Sequence, residues 1–356
     1  MKYNTYEWKI SPKSSFLTEI ESDILFGHFI WAMKYIEGEE FLKKKLDEFK
    51  DGNTPFIFSN GFLDDEFPFL KKINLSIEET KEFAKLLDGE NNKINQRTVV
   101  LALKKLKKYK TIDKEVFEEL LLNKNEKDLY IDIFNMKRDP MTLKKYKDDI
   151  LDKKARFENW AEGKIQKRSK VVVKNIMKNK INRLNNGTEQ ADGSSGLFSD
   201  TETFYNSNAE ITIFIKVRSD IKISQVKKYL NYIEDTGYGK KKNIGKGNFK
   251  TISFEKKERI FEEINNPNGF VVLSNYIPIK EDFSEIVSGD IMTKRGKLGG
   301  DYSHSEKPFK KPIVMYKPGS LFKGEIAEIK GQALNNIHYN KDIFQYGFGF
   351  CVGVKI

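Results

Sequence analysis

The sequence predicts an α+β protein made of two ferredoxin-like (RRM-like) domains, and three observations carry that prediction. The chain has 356 residues, 38% of them hydrophobic and 27 of them Phe, which is enough apolar material for two cores despite 32% charge. Stretches alternating with period two, of which AEITIFIKV at 209–217 is the clearest, are separated by stretches with helical spacing. In the N-terminal part the order is strand, helix, strands, helix, strand, the split βαβ arrangement.

A first strand is expected over Thr5–Ile10, followed by the polar turn SPKSSF. Ser22 and Asp23 then stand at a helix start, ahead of Ile24, Leu25, His28, Phe29, Ala32, Met33 and Ile36. TPFIFSNGF ends a strand in a turn at Gly61, before DDEFPFLKK. From about 76 to 164 the chain becomes rich in Leu, Lys and Glu. Val100, Leu103 and Leu106, then Val116, Phe117, Leu120 and Leu121, recur at helical spacing, and Asp139-Pro140 interrupts the pattern. This block is expected to be a helical insertion. KVVVKNIM restores strand character, and Asn185–Ser199 is a polar, glycine-rich loop within a hairpin over about 168–205. After AEITIFIKV comes a helix opening at Ile223 or Ser224, with Val226, Tyr229, Leu230 and Ile233 on one face, and then the strand NFKTISF. The first domain is thus expected over 1–264. A linker at 265–268 leads to a strand-rich second domain over 269–356.

The 63 Lys and Arg outnumber the 52 Asp and Glu, for a formal charge of +11. Only eight of the basic residues are Arg, so much of the excess is lysine used as a surface filler. Distribution says more than the total: between Lys137 and Arg183 there are 16 basic residues against 6 acidic, a local +10. Charge gathered in this way attracts phosphates. The longest apolar stretch, Ile24–Ile36, contains His28 and Lys34 and is too short to span a bilayer. MKYNTYEWKISPK has no hydrophobic region, so no secretory signal is expected, and a lone Cys351 fits a reducing cytoplasm. Three histidines without ligand spacing argue against a His-based metal site.

The most informative segment runs from Gly237 to Gly247, with Gly237, Gly239, Gly245 and Gly247 spaced G-x-G-x5-G-x-G between a helix and a strand. Glycine permits positive φ and close approach of main chain to a ligand. The loop amides are expected to face phosphates, with Lys240, Lys241, Lys242 and Lys246 supplying charge. It is not a Rossmann fingerprint, which follows a strand and opens a helix. A flexible connector is the alternative, but a connector has no need of paired glycines around lysines. Lys294, Arg295 and Lys297, interleaved with glycines, form a second expected phosphate-facing loop, and Tyr302-Ser-His304 follows it. Asp64, Asp65 and Glu66 read as a solvated turn and not as metal ligands. His28 sits among Leu25, Phe29 and Ala32, so a structural or ligand-contacting role is expected ahead of a catalytic one.

At the glycine loop the chain resembles the RAMP superfamily of CRISPR RNA-binding proteins, which is marked by such a loop between the second helix and last strand of a ferredoxin-like domain. SDILFGHFIWAM resembles the first helix of the subfamily found in type III effectors. PFIFSNGF followed by FPFLKK resembles its Phe-Ser-x-Gly-Phe … Pro segment. KNKINRLNNGTEQADGSSGLFSDTETF is similar to its hairpin, and YGFGFCVGVKI to its closing motif, with Gly353 where a proline is often found. The block at 76–164 matches no motif of the family.

The resemblance implies a non-catalytic subunit, without metal or cofactor, of a type III-A (Csm) complex directed against foreign nucleic acid. Such a subunit holds the repeat-derived 5′ handle of the CRISPR RNA and contacts the large palm-domain subunit and the backbone RAMP subunit. It implies that the Gly237–Gly247 loop grips the handle's phosphates. It also implies that the 168–205 hairpin is a thumb, with Arg168, Lys170, Lys174, Lys178 and Arg183 facing RNA. Tyr238, Phe249, Tyr346 and Phe348 are candidate base-stacking platforms. The alternatives are an endoribonuclease that cuts precursor RNA with His28, the equivalent type III-B subunit, and a generic RNA chaperone.

Overall fold

The computed structural model of the chain describes residues 2–70, 78, 96–122, 126–146, 152–165, 169–182, 186–188 and 196–356. Strand β1 (Tyr3–Pro12) is followed by helices α1 (Ser22–Glu37) and α2 (Glu39–Lys50), then by β2 (Phe56–Phe58), β3 (Phe62–Leu63) and β4 (Glu66–Pro68). The insertion supplies α3 (Gln96–Leu106), β5 (Thr111–Asp113), α4 (Lys114–Leu121), α5 (Glu126–Phe134) and α6 (Lys153–Glu162). An antiparallel ribbon of β6 (Val171–Asn179) and β7 (Leu197–Tyr205) comes next, followed by β8 (Ile211–Arg218), α7 (Ile223–Thr236) and β9 (Phe249–Lys257). Among the described residues no helix is long and apolar enough to cross a membrane.

The main sheet has the order β2-β8-β1-β9, with β3 also on β8 and every pairing antiparallel. One helix follows β1 and another follows β8, so this sheet has the split βαβ order expected from the sequence. Phe29 of α1 joins helices to sheet, with its ring 5.2 Å from Phe58 and 5.1 Å from Tyr229 of α7. The opposite face is filled as well: Phe214 of β8 lies 6.2 Å from both Phe67 and Phe261 and 5.9 Å from Phe350. An RRM-like sheet face open to stacked bases is therefore absent at β8. The reason is visible in ITIFIKV, whose near-continuous apolar run belongs to a strand buried on both sides. Helix α2 was not expected, although Leu42, Leu46 and Phe49 form a helical stripe that seats it on the core.

The second unit contains β10 (Gly269–Val272), β11 (Ile286–Ser288), β12 (Ile291–Lys294), β13 (Ile313–Tyr316), β14 (Leu321–Lys323), β15 (Gly331–Leu334), β16 (Gln345–Phe348) and β17 (Cys351–Val354). They form a sheet of order β11-β14-β10-β17 and two ribbons, β12 with β13 and β15 with β16. Its described residues contain only short 3₁₀ turns and no α-helix, so this unit departs from the ferredoxin-like expectation. Its strands are three or four residues long, and Pro278, Pro308, Pro312 and Pro318 break the intervening chain before a helical stripe can develop. The two units share one core. Phe26 of α1 stacks on Tyr346 at 4.7 Å, and the Tyr346 hydroxyl accepts from Phe58 N at 3.1 Å.

Candidate nucleic-acid interface

The Gly237–Gly247 loop closes on itself because two of its glycines leave no room for a side chain. Gly247 has φ +68, and a Cβ there would run into the Tyr238 carbonyl oxygen. Gly239 has φ +77, and a Cβ would sit 2.8 Å from Thr18 Cβ. Tyr238 points inward: it is buried, its hydroxyl donates to Glu19 O at 2.9 Å, and it accepts from Glu21 N at 3.1 Å. Burial pushes its phenol well above the usual range. Tyr238 is therefore an anchor and not a platform for bases. Phe249, Tyr346 and Phe348 are corrected in the same way, since all three are buried in the core.

Most loop amides are already committed. Gly237 N ends α7 on Ile233 O at 2.9 Å, and Tyr238 N donates to Gly247 O at 3.0 Å. Gly239 N donates to His28 Nε2 at 2.9 Å, Lys240 N to Thr18 Oγ1 at 3.0 Å, and Gly247 N to Ser15 O at 2.9 Å. Gly245 N closes the tight turn onto Lys242 O at 3.1 Å, and Lys246 N reaches back to Lys241 O at 3.3 Å. The expectation that the whole run of amides faces phosphate is therefore corrected for Gly237, Gly239, Gly245 and Gly247 alike. These glycines shape the loop, and their N–H groups hold it shut. Among the described residues, the amides of Lys241, Lys242 and Asn243 are the ones in the loop that bond to nothing else in the chain. They lie where the chain enters a 3₁₀ turn, Lys242–Ile244.

The lysines meet two acids that the sequence reading did not single out. Asp200 and Glu202 lie two residues apart on β7, so both point from one face of the ribbon toward the loop, and both are buried. Asp200 pairs with Lys241, with Lys178 at 3.0 Å and with Lys240 at 3.5 Å. Glu202 pairs with Lys246 at 2.6 Å and Lys178 at 2.8 Å, and accepts from Ser15 Oγ at 2.6 Å. Hydrogen bonds from Lys241 and then Lys178 hold Asp200 well below the usual carboxylate range, while those from Lys178, Lys246 and Ser15 bring Glu202 down to about 2. The hairpin is thus stapled to the loop. Its root is also bound into the first unit, through the Phe16–Thr203 bridge and the Phe16–Tyr205 ring contact at 5.5 Å. Lys240, with its side chain 63% exposed, is the loop lysine most open to a ligand. Lys242 donates to Thr236 Oγ1 at 3.3 Å, and burial lowers its pKa.

Of the expected thumb cations, Lys178 is taken up in this network and Lys170 pairs with Asp64 at 2.8 Å, while Lys174 is exposed with no ion pair among the described residues. Arg168 and Arg183 lie outside the described residues. Asp64 also accepts from Glu210 N at 2.8 Å and Asp65 from Thr212 Oγ1 at 3.0 Å, so this turn fixes the edge of β8.

His28 faces the loop from α1. Its ring lies 4.8 Å from Tyr238, and its Nε2 lone pair is used by Gly239 N. Burial, with a contribution from Lys242, pushes its pKa down to about 3. The imidazole is neutral at physiological pH, and Nε2 would have to release the loop before taking a proton.

The second expected loop divides. Lys294 is turned inward against Glu21 at 2.9 Å and Asp23 at 2.6 Å, in a polar junction where Asn275 Nδ2 also donates to Asp23 at 2.9 Å and Gln345 Nε2 at 2.8 Å. It ties the second unit to the start of α1 and does not face phosphate. Arg295 and Lys297 are exposed and lie over the ring of Phe309, at 5.2 and 6.0 Å. Tyr302 and Trp31, 6.1 Å apart, pack the following turn onto α1.

No family model and no curated protein matches this sequence. Solved structures do match. One is the Csm3-Csm4 subcomplex in the type III-A CRISPR-Cas interference complex, with a TM-score of 0.62 at 16% identity over 99% of this chain and 100% of that one. A second is the Csm1-Csm4 cassette in complex with pppApA, with a TM-score of 0.55 at 15% identity over 99% and 98%. The same cassette in complex with AMPPNP gives a TM-score of 0.54 at 14% identity over 99% and 98%. At these identities the likeness establishes a shared fold along nearly the whole chain.

Proposed function

We propose that this chain is a Csm4-type subunit of a type III-A CRISPR-Cas interference complex, a non-catalytic RNA-binding protein that caps the 5′ handle of the CRISPR RNA. The observation that carries the reading is the likeness to the Csm3-Csm4 subcomplex, which covers 99% of this chain and 100% of that one. The RAMP-like loop and hairpin add to it, because they meet in space at the Asp200–Glu202 staple. The ligand-facing part of the loop is the exposed Lys240 with the amides of 241–243, and Lys174 extends the surface along the ribbon. The partners are the palm-domain subunit Csm1 and the backbone subunit Csm3, in the cytoplasm.

The handle is single-stranded, so its bases are open to recognition while its phosphates are gripped. The test is the affinity of the purified chain for handle RNA against a scrambled sequence at fixed salt. We expect a clear preference for the handle, and we expect Lys240→Ala to lower the salt slope by about 0.7, the value for one single-strand phosphate that is no longer neutralised. Equal binding of both RNAs sinks the capping reading in favour of a chaperone. The occupied Nε2 of His28 disfavours an endoribonuclease, so labelled repeat RNA is expected to stay intact. Cleavage that disappears in His28→Ala overturns the scaffold reading.

A further inference from the structure

The second unit carries a patch in which exposed rings and unneutralised cations alternate. Residues 296–298 run antiparallel to 308–310, with Leu298 N on Pro308 O at 2.7 Å and Lys310 N on Gly296 O at 2.9 Å, and Lys311 N reaches Ile337 O at 2.7 Å. This arrangement brings three segments side by side. Phe309 is 47% exposed beneath Arg295 and Lys297, and Tyr339 is 64% exposed, 5.9 Å from Lys307 Nζ and stacked obliquely on His338 at 4.2 Å. His338 is itself buried and fixed by Lys307 O at 2.8 Å, so the Tyr339 ring stands on a rigid base.

Arg295, Lys297, Lys307 and Lys311 are all exposed, and none has an ion pair among the described residues. The nearby acids Asp301 and Asp342 are engaged elsewhere, by Lys34 at 2.9 Å and Lys50 at 3.6 Å, which leaves Glu306 as the local counter-charge. A single exposed ring needs no explanation. Two rings held on neighbouring segments, each with cations at its face or edge and almost no acid, match what a flexible polyanion with stackable bases requires. A protein partner would favour an apolar centre depleted of lysine, which this patch lacks.

We propose that the surface formed by Arg295, Lys297, Lys307, Phe309, Lys311 and Tyr339 binds a single-stranded polynucleotide by base stacking on Phe309 and Tyr339. It is built from residues other than those of the glycine-rich loop and goes beyond handle capping, since it takes strand without regard to sequence.

The test uses the full-length chain with labelled oligo(U) and oligo(dT). Phe309→Ala with Tyr339→Ala is expected to weaken oligo(U) at least about fivefold, the lower end of what removing one stacked base costs. Arg295→Ala with Lys297→Ala and Lys307→Ala is expected to lower the salt slope by about 0.7 for each phosphate that these side chains neutralise. All of these side chains are exposed, and unchanged thermal unfolding checks that the fold is intact. Equal weakening with both oligomers, or weakening with oligo(U) alone, supports the proposal and tells a general strand site from an RNA-selective one. Unchanged affinity and slope overturn it, as does loss of Csm1 or Csm3 co-purification with oligonucleotide binding intact. Handle preference is measured in parallel with Lys240→Ala, so failure of the capping reading leaves this result standing, and the reverse holds as well.

Discussion

In the glycine-rich loop, Lys240 and Lys241 reach Asp200, and Lys246 reaches Glu202. At the second-unit patch, Arg295, Lys297, Lys307 and Lys311 reach no carboxylate among the described residues. In sequence the two places look alike at their loops, where basic residues stand among glycines at 240–246 and at 294–297. Topology separates them, because the ribbon lays two acids against the first loop while the acids near the patch are drawn off by α1 and α2. Charge available to a phosphate therefore depends on what the fold brings up from elsewhere in the chain. The first region is built as a joint and the second as an open surface.

Substitutions at matched residue types test that contrast. The largest effect is expected from the tyrosines. Tyr238→Ala removes a buried, doubly hydrogen-bonded ring and should cost about 4 kcal/mol in denaturant unfolding. Tyr339→Ala at the exposed patch should change stability by no more than about 0.5 kcal/mol. Equal destabilisation would mean that the patch is also core. The glycines come next. Gly247→Ala must adopt positive φ and drive its methyl into Tyr238, which should cost about 3 kcal/mol. Gly296→Ala meets only Lys310 Cδ at 3.7 Å, so it should be nearly neutral in the same assay.

His28 gives a third, smaller contrast, read as a pH profile. Its pKa falls from 6.5 to about 3 on folding, so below pH 6.5 the unfolded chain takes up a proton that the folded chain refuses. Stability is complete above about 6.5 and is lost as pH falls toward 3. His28→Gln keeps an acceptor for Gly239 N and should flatten this part of the profile. A slope that survives the substitution assigns the pH dependence to other groups.

Much of the first unit is legible in the sequence because its signals are local. ITIFIKV announces a central strand, Val226, Tyr229, Leu230 and Ile233 give α7 its buried face, and the glycine spacing marks the loop that φ values near +70 to +80 require. What stayed hidden is non-local. Asp200 and Glu202 look like ordinary polar residues of an exposed strand until the ribbon folds back on a loop some 40 residues later in the chain. Their alternation in FSDTETF was the available signal, since it puts both on one face. Lys294 misled for the same reason: its partners, Glu21 and Asp23, are more than 270 residues away. The second unit's lack of helices was foreshadowed by its prolines, which a motif-led reading passes over.

The smallest expected effect concerns the staple itself. Asp200→Asn with Glu202→Gln keeps the shape of both side chains and one acceptor oxygen on each, turns the other oxygen into an NH2 donor, and removes the two negative charges. Lys178, Lys241 and Lys246, each with about a quarter of its side chain exposed, are then without counter-ions while remaining next to Lys240. Each lysine freed to meet a phosphate should steepen the salt dependence of single-strand binding by about 0.7, so the amide variant should bind non-handle RNA more strongly at low salt and lose that gain at high salt. Handle preference should narrow, because the added attraction is blind to sequence. An unchanged slope would mean that the lysines stay turned into the joint even without the acids. In that case the amides of 241–243 and Lys240 alone form the ligand-facing part of the loop.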